Sequence, residues 1–221
     1  MDRAGKLMKM YDAMLQELGE SGWWPGESPL EIMLGAVLTQ NTAWGNVEKA
    51  IDNLKKAGLL DLEALFEISL EDLAEQIRPA GYFRVKAGRI KALLTWIKDF
   101  AGGDIKSLSS HDTWALREEL LGVKGVGPET ADAILLYALD RPSFVADEYT
   151  RRILSRHGMV PEEAGYDELR DFFMDALPEE VPLFNEYHAL IVRVGKQWCA
   201  RKKPDCKNCP LLAFLEQGFY E

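Results

Sequence analysis

Apolar residues recur along this chain at the spacing of one helix face. Ile90, Leu93, Leu94 and Ile97 fall at i, i+3, i+4 and i+7, and related patterns run through residues 30–38, 46–57, 113–121, 129–139, 148–157 and 166–176. A repeat close to 3.6 residues predicts amphipathic helices. Alternating apolar and polar runs closed by Asn-Gly or Asp-Gly turns, the usual signal of β-hairpins, are missing. The expected fold class is therefore all-α. Short Gly/Pro punctuation separates the helices, at Gly22 to Pro29, Gly102-Gly103, Gly122 to Pro128, Pro142 and Gly158. With no long linker, low-complexity stretch or internal repeat, two lobes would have to pack tightly and share chain segments.

Composition narrows the class. The chain has 221 residues, 47% hydrophobic, 28% charged and 10% aromatic, enough for one or two small cores. This excludes a disordered chain, a coiled coil and a disulfide mini-scaffold. No apolar run reaches the length of a membrane span, and MDRAGKLMKM lacks the apolar core of an export signal, so a cytoplasmic protein is expected, nucleoid-associated in a prokaryote. The formal charge is -10, from 26 basic and 36 acidic residues. A uniformly acidic surface repels nucleic acid, so a DNA binder built from this chain must concentrate positive field locally or use backbone amides.

One segment offers such amides. Leu120-Leu121-Gly122-Val123-Lys124-Gly125-Val126-Gly127-Pro128-Glu129-Thr130-Ala131 lies between two helical patterns. Glycines at 125 and 127 are expected to adopt positive φ and admit a ligand close to the backbone, and Pro128 suits the first position of the second helix. Free amides at that helix start can hold a phosphate without basic side chains. An ordinary helix–helix turn with no ligand reads equally well from the glycines alone. Further on, Phe144-Val145-Ala146-Asp147-Glu148-Tyr149-Thr150 opens another helix with Asp147 at its N-cap, a role that by itself needs no chemistry.

The glycine hairpin, the Asp-capped helix and a terminal C-x6-C-x2-C (Cys199, Cys206, Cys209) occur in this order. The combination resembles the endonuclease III superfamily of helix-hairpin-helix DNA glycosylases, over about residues 20–210. Leu38-Thr39-Gln40-Asn41-Thr42 resembles that family's Gln-containing loop entering the minor groove, and Gly81-Tyr82 to Lys86-Ala87 resembles its next helix start. The resemblance implies a two-lobed all-α fold, with a central domain at 22–132, a second domain from 1–21 plus 133–221, and the DNA cleft between them.

The resemblance also implies roles. Asp147 matches the family's catalytic carboxylate, suited to stabilise oxocarbenium character on the deoxyribose or to activate water. The bifunctional members carry a Schiff-base lysine where this chain has Glu129, which implies a monofunctional enzyme that leaves an abasic site. Lys124 is the substitute amine to weigh, against a solvated or phosphate-facing lysine; Glu129 could itself be helix surface. Gln40 would fill the stack vacated by an extruded base, and Gly125, Gly127 and Lys124 would meet DNA. Trp23, Trp24 and Trp44 resemble the aromatic sandwich of the 3-methyladenine branch, although a tryptophan pair is commonly core. Electron-rich rings attract a cationic alkylated purine by about 1–2 kcal/mol, and its charge makes it a good leaving group.

The cysteine spacing matches the family's iron–sulfur loop, but the fourth thiolate would fall at position 215, which is Leu215. The readings are a cluster with one non-thiolate ligand, a three-iron cluster, or a cluster-free loop packed by Trp198, Leu211 and Phe214. The retained spacing favours some cluster over zinc, which would need His157 or His188 from elsewhere. His111, His157 and His188 show no metal or triad spacing and read as structural or surface residues. Arg193, Lys196, Arg201, Lys202, Lys203 and Lys207, with Arg151, Arg152 and Arg156, could supply the local positive face, or be solvated helix surface.

The expected function is thus monofunctional removal of alkylated, 3-methyladenine-type bases from double-stranded DNA in base excision repair, by a monomer needing no membrane. Alternatives are a glycosylase for oxidised or mismatched bases, a lyase using Lys124, and a non-catalytic helix-hairpin-helix DNA-binding protein.

Overall fold

The computed structural model describes residues 2–215. Among them the chain forms eleven α-helices and no strand. In order they are α1 (Arg3–Leu18), α2 (Pro29–Leu38), α3 (Trp44–Lys56), α4 (Leu62–Glu67), α5 (Leu70–Gln76) and α6 (Phe83–Ala101). Then follow α7 (Thr113–Gly122), α8 (Pro128–Ala133), α9 (Glu148–Arg156), α10 (Tyr166–Met174) and α11 (Val181–Gln197). They divide into two compact units, one of Met1–Trp24 with Pro142–Glu221, the other Pro25–Arg141. These boundaries differ from the expected 22 and 132. Ser21 donates its backbone N–H and hydroxyl to Glu186 of α11, holding the early segment to the first unit. After α8 the chain stays helical through a wider π turn, Ile134–Ala138, whose five residues are all buried and pack on α2. Met1 and residues 216–221 of the expected second lobe lie outside the described residues.

The Pro25–Arg141 unit is built around α2. Ser28 caps it, accepting from the Glu31 amide at 3.2 Å, and Pro29 opens it where a missing N–H costs nothing. Leu30, Met33, Leu34, Val37 and Leu38 are buried, so α2 is the central rod against which α3, α6 and the π turn pack. In α6, Ile90, Leu93, Leu94 and Ile97 are each 0% exposed, as their spacing requires. The helices of the glycine hairpin are tied by a buried ion pair. Arg117 of α7 donates Nε to Asp132 Oδ1 at 2.9 Å and Nη2 to Oδ2 at 3.1 Å, a bidentate strut to α8.

In the other unit α11 packs on α1 and α9. Phe144 stacks on Phe173 at 3.8 Å between ring centroids, with Phe184 and Tyr187 edge-on to Phe144. The Tyr187 hydroxyl donates to the Leu7 carbonyl at 2.8 Å, so this core satisfies its buried polar atom. Gly195 lets α9 approach α11: a Cβ there would lie 2.3 Å from the Tyr149 ring. No described helix is long and apolar enough to cross a membrane.

Candidate functional site

The buried run Phe144-Val145-Ala146 delivers Asp147 to the N-cap of α9. Its Oδ1 accepts from the Thr150 amide at 2.8 Å and the Thr150 hydroxyl at 3.0 Å, while Thr150 Oγ1 accepts from the Asp147 amide at 3.2 Å. This reciprocal cap ties one carboxylate oxygen to the helix start. The other, Oδ2, faces His188 Nε2 at 3.6 Å, with the aspartate side chain 15% exposed and the histidine 7%. Burial opposes ionisation of Asp147, but His188 and the Thr150 donors outweigh it and hold the carboxyl below the usual aspartate range. His188, expected to be structural or surface, therefore belongs to the Asp147 site. The spacing rules had no means of finding it, because it sits on α11, far along the chain.

The second assembly lies wholly in the Pro25–Arg141 unit. Gly125 has φ +89, and a Cβ on it would lie 2.3 Å from the Arg89 side chain, so both backbone and neighbour demand glycine. Gly127 departs from expectation: its φ is -97, an extended residue serving as N-cap of α8. Gln40 bridges to the hairpin, its Nε2 donating to the Gly125 carbonyl at 3.0 Å and to Thr130 Oγ1 at 2.9 Å. Its Oε1 accepts from Arg89. Beneath it Lys86, 1% exposed, donates to the Leu38 carbonyl at 2.7 Å, Thr42 Oγ1 at 2.5 Å and the Ala80 carbonyl at 2.9 Å. Burial lowers the Lys86 ammonium to about 8. One amine thus pins the Gln40 loop to the turn before α6, where Tyr82 stands 74% exposed with φ +46. Tyr82 and Lys86 are legible in the sequence only as part of the Gly81-Tyr82 to Lys86-Ala87 helix start, and Thr130 only as part of the hairpin segment; Arg89 carries no sequence signal, since its partner Gln40 is distant along the chain.

Of the other expected site residues, Lys124 and Glu129 are exposed on the hairpin. Trp23 and Trp24 meet edge to face at 5.6 Å in the first unit. Trp44 opens α3 in the second, its indole N–H donating to Glu48 at 2.8 Å. His157 is structural, its ring nitrogens against the Ile153 and Leu211 carbonyls at 2.7 and 3.3 Å.

Residues 34–179 match the family described as HhH-GPD superfamily base excision DNA repair protein. The chain belongs to this superfamily. The Methanocaldococcus jannaschii protein named "Putative DNA repair glycosylase MJ1434" is 46% identical, over 94% of both chains. Endonuclease III of Thermotoga maritima is 29% identical, over 82% of this chain and 79% of that one. Among solved structures, the H. pylori 3-methyladenine DNA glycosylase bound to 1,N6-ethenoadenine superposes with a TM-score of 0.77 at 32% identity, covering 89% of this chain and 98% of that one. A non-covalent endonuclease III–DNA complex superposes at 0.83 with 23% identity, over 99% and 97% of the two chains, a likeness of fold. The chain is a helix-hairpin-helix DNA glycosylase of base excision repair.

The superfamily resemblance raised an iron–sulfur cluster, which four thiolates would hold. Cys199, Cys206 and Cys209 line one cavity of about 20 Å³ with Leu215, the fourth position, beside them. Among the described residues no group of three or more His, Cys, Asp or Glu is arranged to hold a metal ion. Cys199 Sγ accepts from Arg156 Nη1 at 3.1 Å, and burial pushes the Cys209 thiol up to about 11. The described residues do not fit a four-thiolate cluster. The loop is instead fastened to α9: Arg152 Nε donates to the Cys199 carbonyl at 2.8 Å, and Arg156 to the Ala200 and Arg201 carbonyls, both at 2.9 Å. Part of the expected basic face is thus internal fastening, and Arg193 likewise donates to the Leu18 and Gly19 carbonyls. Lys196, Arg201, Lys202, Lys203 and Lys207 are exposed.

Proposed function

We propose that this superfamily member is a monofunctional glycosylase for alkylated, 3-methyladenine-type bases, with Asp147 as its catalytic residue. The carrying observation is a carboxylate whose Oδ1 is locked by the helix cap and whose ionised form is favoured, leaving Oδ2 to act. In the reaction the C1′–N bond breaks with its electron pair going to the cationic base, which leaves neutral. Oδ2 stabilises the positive charge building on the sugar. Water forms the new C1′–O bond, and its proton passes to the carboxylate and then to solvent. A base that is already cationic needs little acid help, which suits one essential carboxylate. Glu129 cannot form an imine, which supports hydrolysis without strand cleavage. The aromatic side chains Trp23, Trp24 and Trp44 and the likeness to a 3-methyladenine glycosylase at 32% identity support the alkylated class. The glycine hairpin would take backbone phosphate, and Gln40 would exchange its hairpin bonds for the vacated stack.

Single-turnover base release from methylated DNA tests this reading, with wild type beside Asp147→Asn and products examined with and without alkali. Methylpurine release that depends on Asp147, with breaks only after alkali, is expected. No release transfers the enzyme to oxidised or mismatched bases. The endonuclease III relatives favour one second reading, a lyase using exposed Lys124, and borohydride trapping of an enzyme–DNA adduct would reveal it.

A further inference from the structure

The two oxygens of Asp147 have different surroundings. Oδ1 is committed to the cap by two donors from Thr150. Oδ2 looks across to α11, where His188 Nε2 stands 3.6 Å away. The imidazole is 7% exposed, and among the described residues it is the charge-bearing side chain that acts on the carboxylate, beside Thr150. Glutamates and arginines of the two helices are engaged elsewhere, and Lys196 is exposed. Glu148 pairs with Arg151, Arg152 and Arg201 at 2.6, 3.7 and 3.3 Å. Glu186 accepts from Ser21, and Arg193 donates to the C-terminal carbonyls of α1.

We infer that His188 is a positioning residue for the reaction, its Nε2–H directed at Asp147 Oδ2 so that the reactive oxygen is held in one orientation while the cap holds the other. The inference rests on Asp147 being the catalytic carboxylate. A carboxylate fixed at one oxygen alone can still swing about χ2; a donor at the second removes that freedom without consuming the lone pair that meets water or the sugar. The imidazole is the group on α11 placed to do this, with Nε2 3.6 Å from Oδ2. Its wall is α11, where Tyr187 and Phe184 lock the neighbouring turns in the aromatic core, so the donor is rigidly placed.

Two amide substitutions separate the ring nitrogens. In His188→Gln the amide nitrogen reaches to about the place of Nε2; in His188→Asn it reaches only to that of Nδ1. Both are read in the full chain by single-turnover release from methylated DNA, DNA affinity, thermal midpoint and the titration of the Asp147 carboxyl carbon by NMR, assigned against Asp147→Asn. The expected result is release close to wild type for Gln and lowered about 10- to 100-fold for Asn, the span of a charge-assisted hydrogen bond. DNA affinity stays constant, and the Asp147 titration midpoint rises for Asn more than for Gln. Equal release by both variants, or loss for Gln with retention for Asn, overturns the inference. If Asp147→Asn itself keeps full release, the assignment of the catalytic carboxylate fails instead. Should methylated DNA prove no substrate, the carboxyl titration decides alone: equal midpoints in wild type and Asn overturn the pairing.

Discussion

The Asp147 site and the Gln40 hairpin are built on opposite plans. At Asp147 the proposed chemistry falls to a single ionised side chain, and its principal supports, the Thr150 amide and hydroxyl, lie one turn away in sequence. At the hairpin the groups proposed to meet DNA are backbone amides and a neutral carbamoyl, and side chains join segments of the unit around them: Gln40 to Arg89 and Thr130, Lys86 to the loop below, Arg117 to Asp132. A carboxylate can be held locally because two donors one turn away fix one of its oxygens. A phosphate-holding backbone needs long-range bracing, because a main chain has no side chain with which to fix itself.

Perturbing each plan should give different signatures. Asp147→Asn should have the largest effect, lowering single-turnover base release on the order of 100- to 1,000-fold while DNA affinity barely changes. Comparable loss of affinity would erase the distinction between a chemical and a binding site. Arg117→Met should cost about 3–5 kcal/mol in a urea titration, because Asp132 is left as a buried charge without its bidentate partner. DNA affinity should fall with it if α7 and α8 orient the hairpin. Next, Gly125→Ala should destabilise by about 1–3 kcal/mol from positive φ and the Arg89 contact, and weaken DNA binding at every sequence alike. A variant that binds one lesion worse but undamaged DNA normally would mean that the hairpin reads the base.

The smallest effect is expected at the cap. Thr150→Val removes one donor to Asp147 Oδ1 and the acceptor of the Asp147 amide, and should cost about 1 kcal/mol at neutral pH. The sign of its pH dependence follows from the lowered Asp147 pKa: the stabilisation is full above the ordinary aspartate value of 3.8 and is lost as pH falls through the lower folded value. The gap between wild type and Thr150→Val should therefore narrow as pH falls through that range, measured by denaturant unfolding, and the lost acceptor of the Asp147 amide should leave a part that does not change with pH. A gap that does not change with pH would show that the threonine does not act on the carboxylate.

Legibility in the sequence followed the range of the interactions. The α6 stripe and the cap of α9 could be read because their information lies within a few neighbouring residues. Helices α4 and α5 are too short, at six and seven residues, to display a period. In α11 the run from Tyr187 to Val192 is buried throughout, so the alternation of buried and exposed positions is interrupted in mid-helix. Gly127 looked like Gly125, yet only one of them carries positive φ, and the difference is set by where the chain turns into α8.

The amino-acid sequence alone determined an all-helical chain, its glycine hairpin, the position of Asp147 at a helix start, glutamate at position 129 and the missing fourth cysteine at position 215. Each is a matter of local periodicity, spacing or residue identity. Only the tertiary structure decided that Gln40 is gripped by the hairpin, that Lys86 pins its loop, that Arg152 and Arg156 fasten the cysteine loop, and that His188 faces Asp147. Those partners meet through the packing of whole helices, and a contact fixed by packing leaves no mark at a regular interval along the chain.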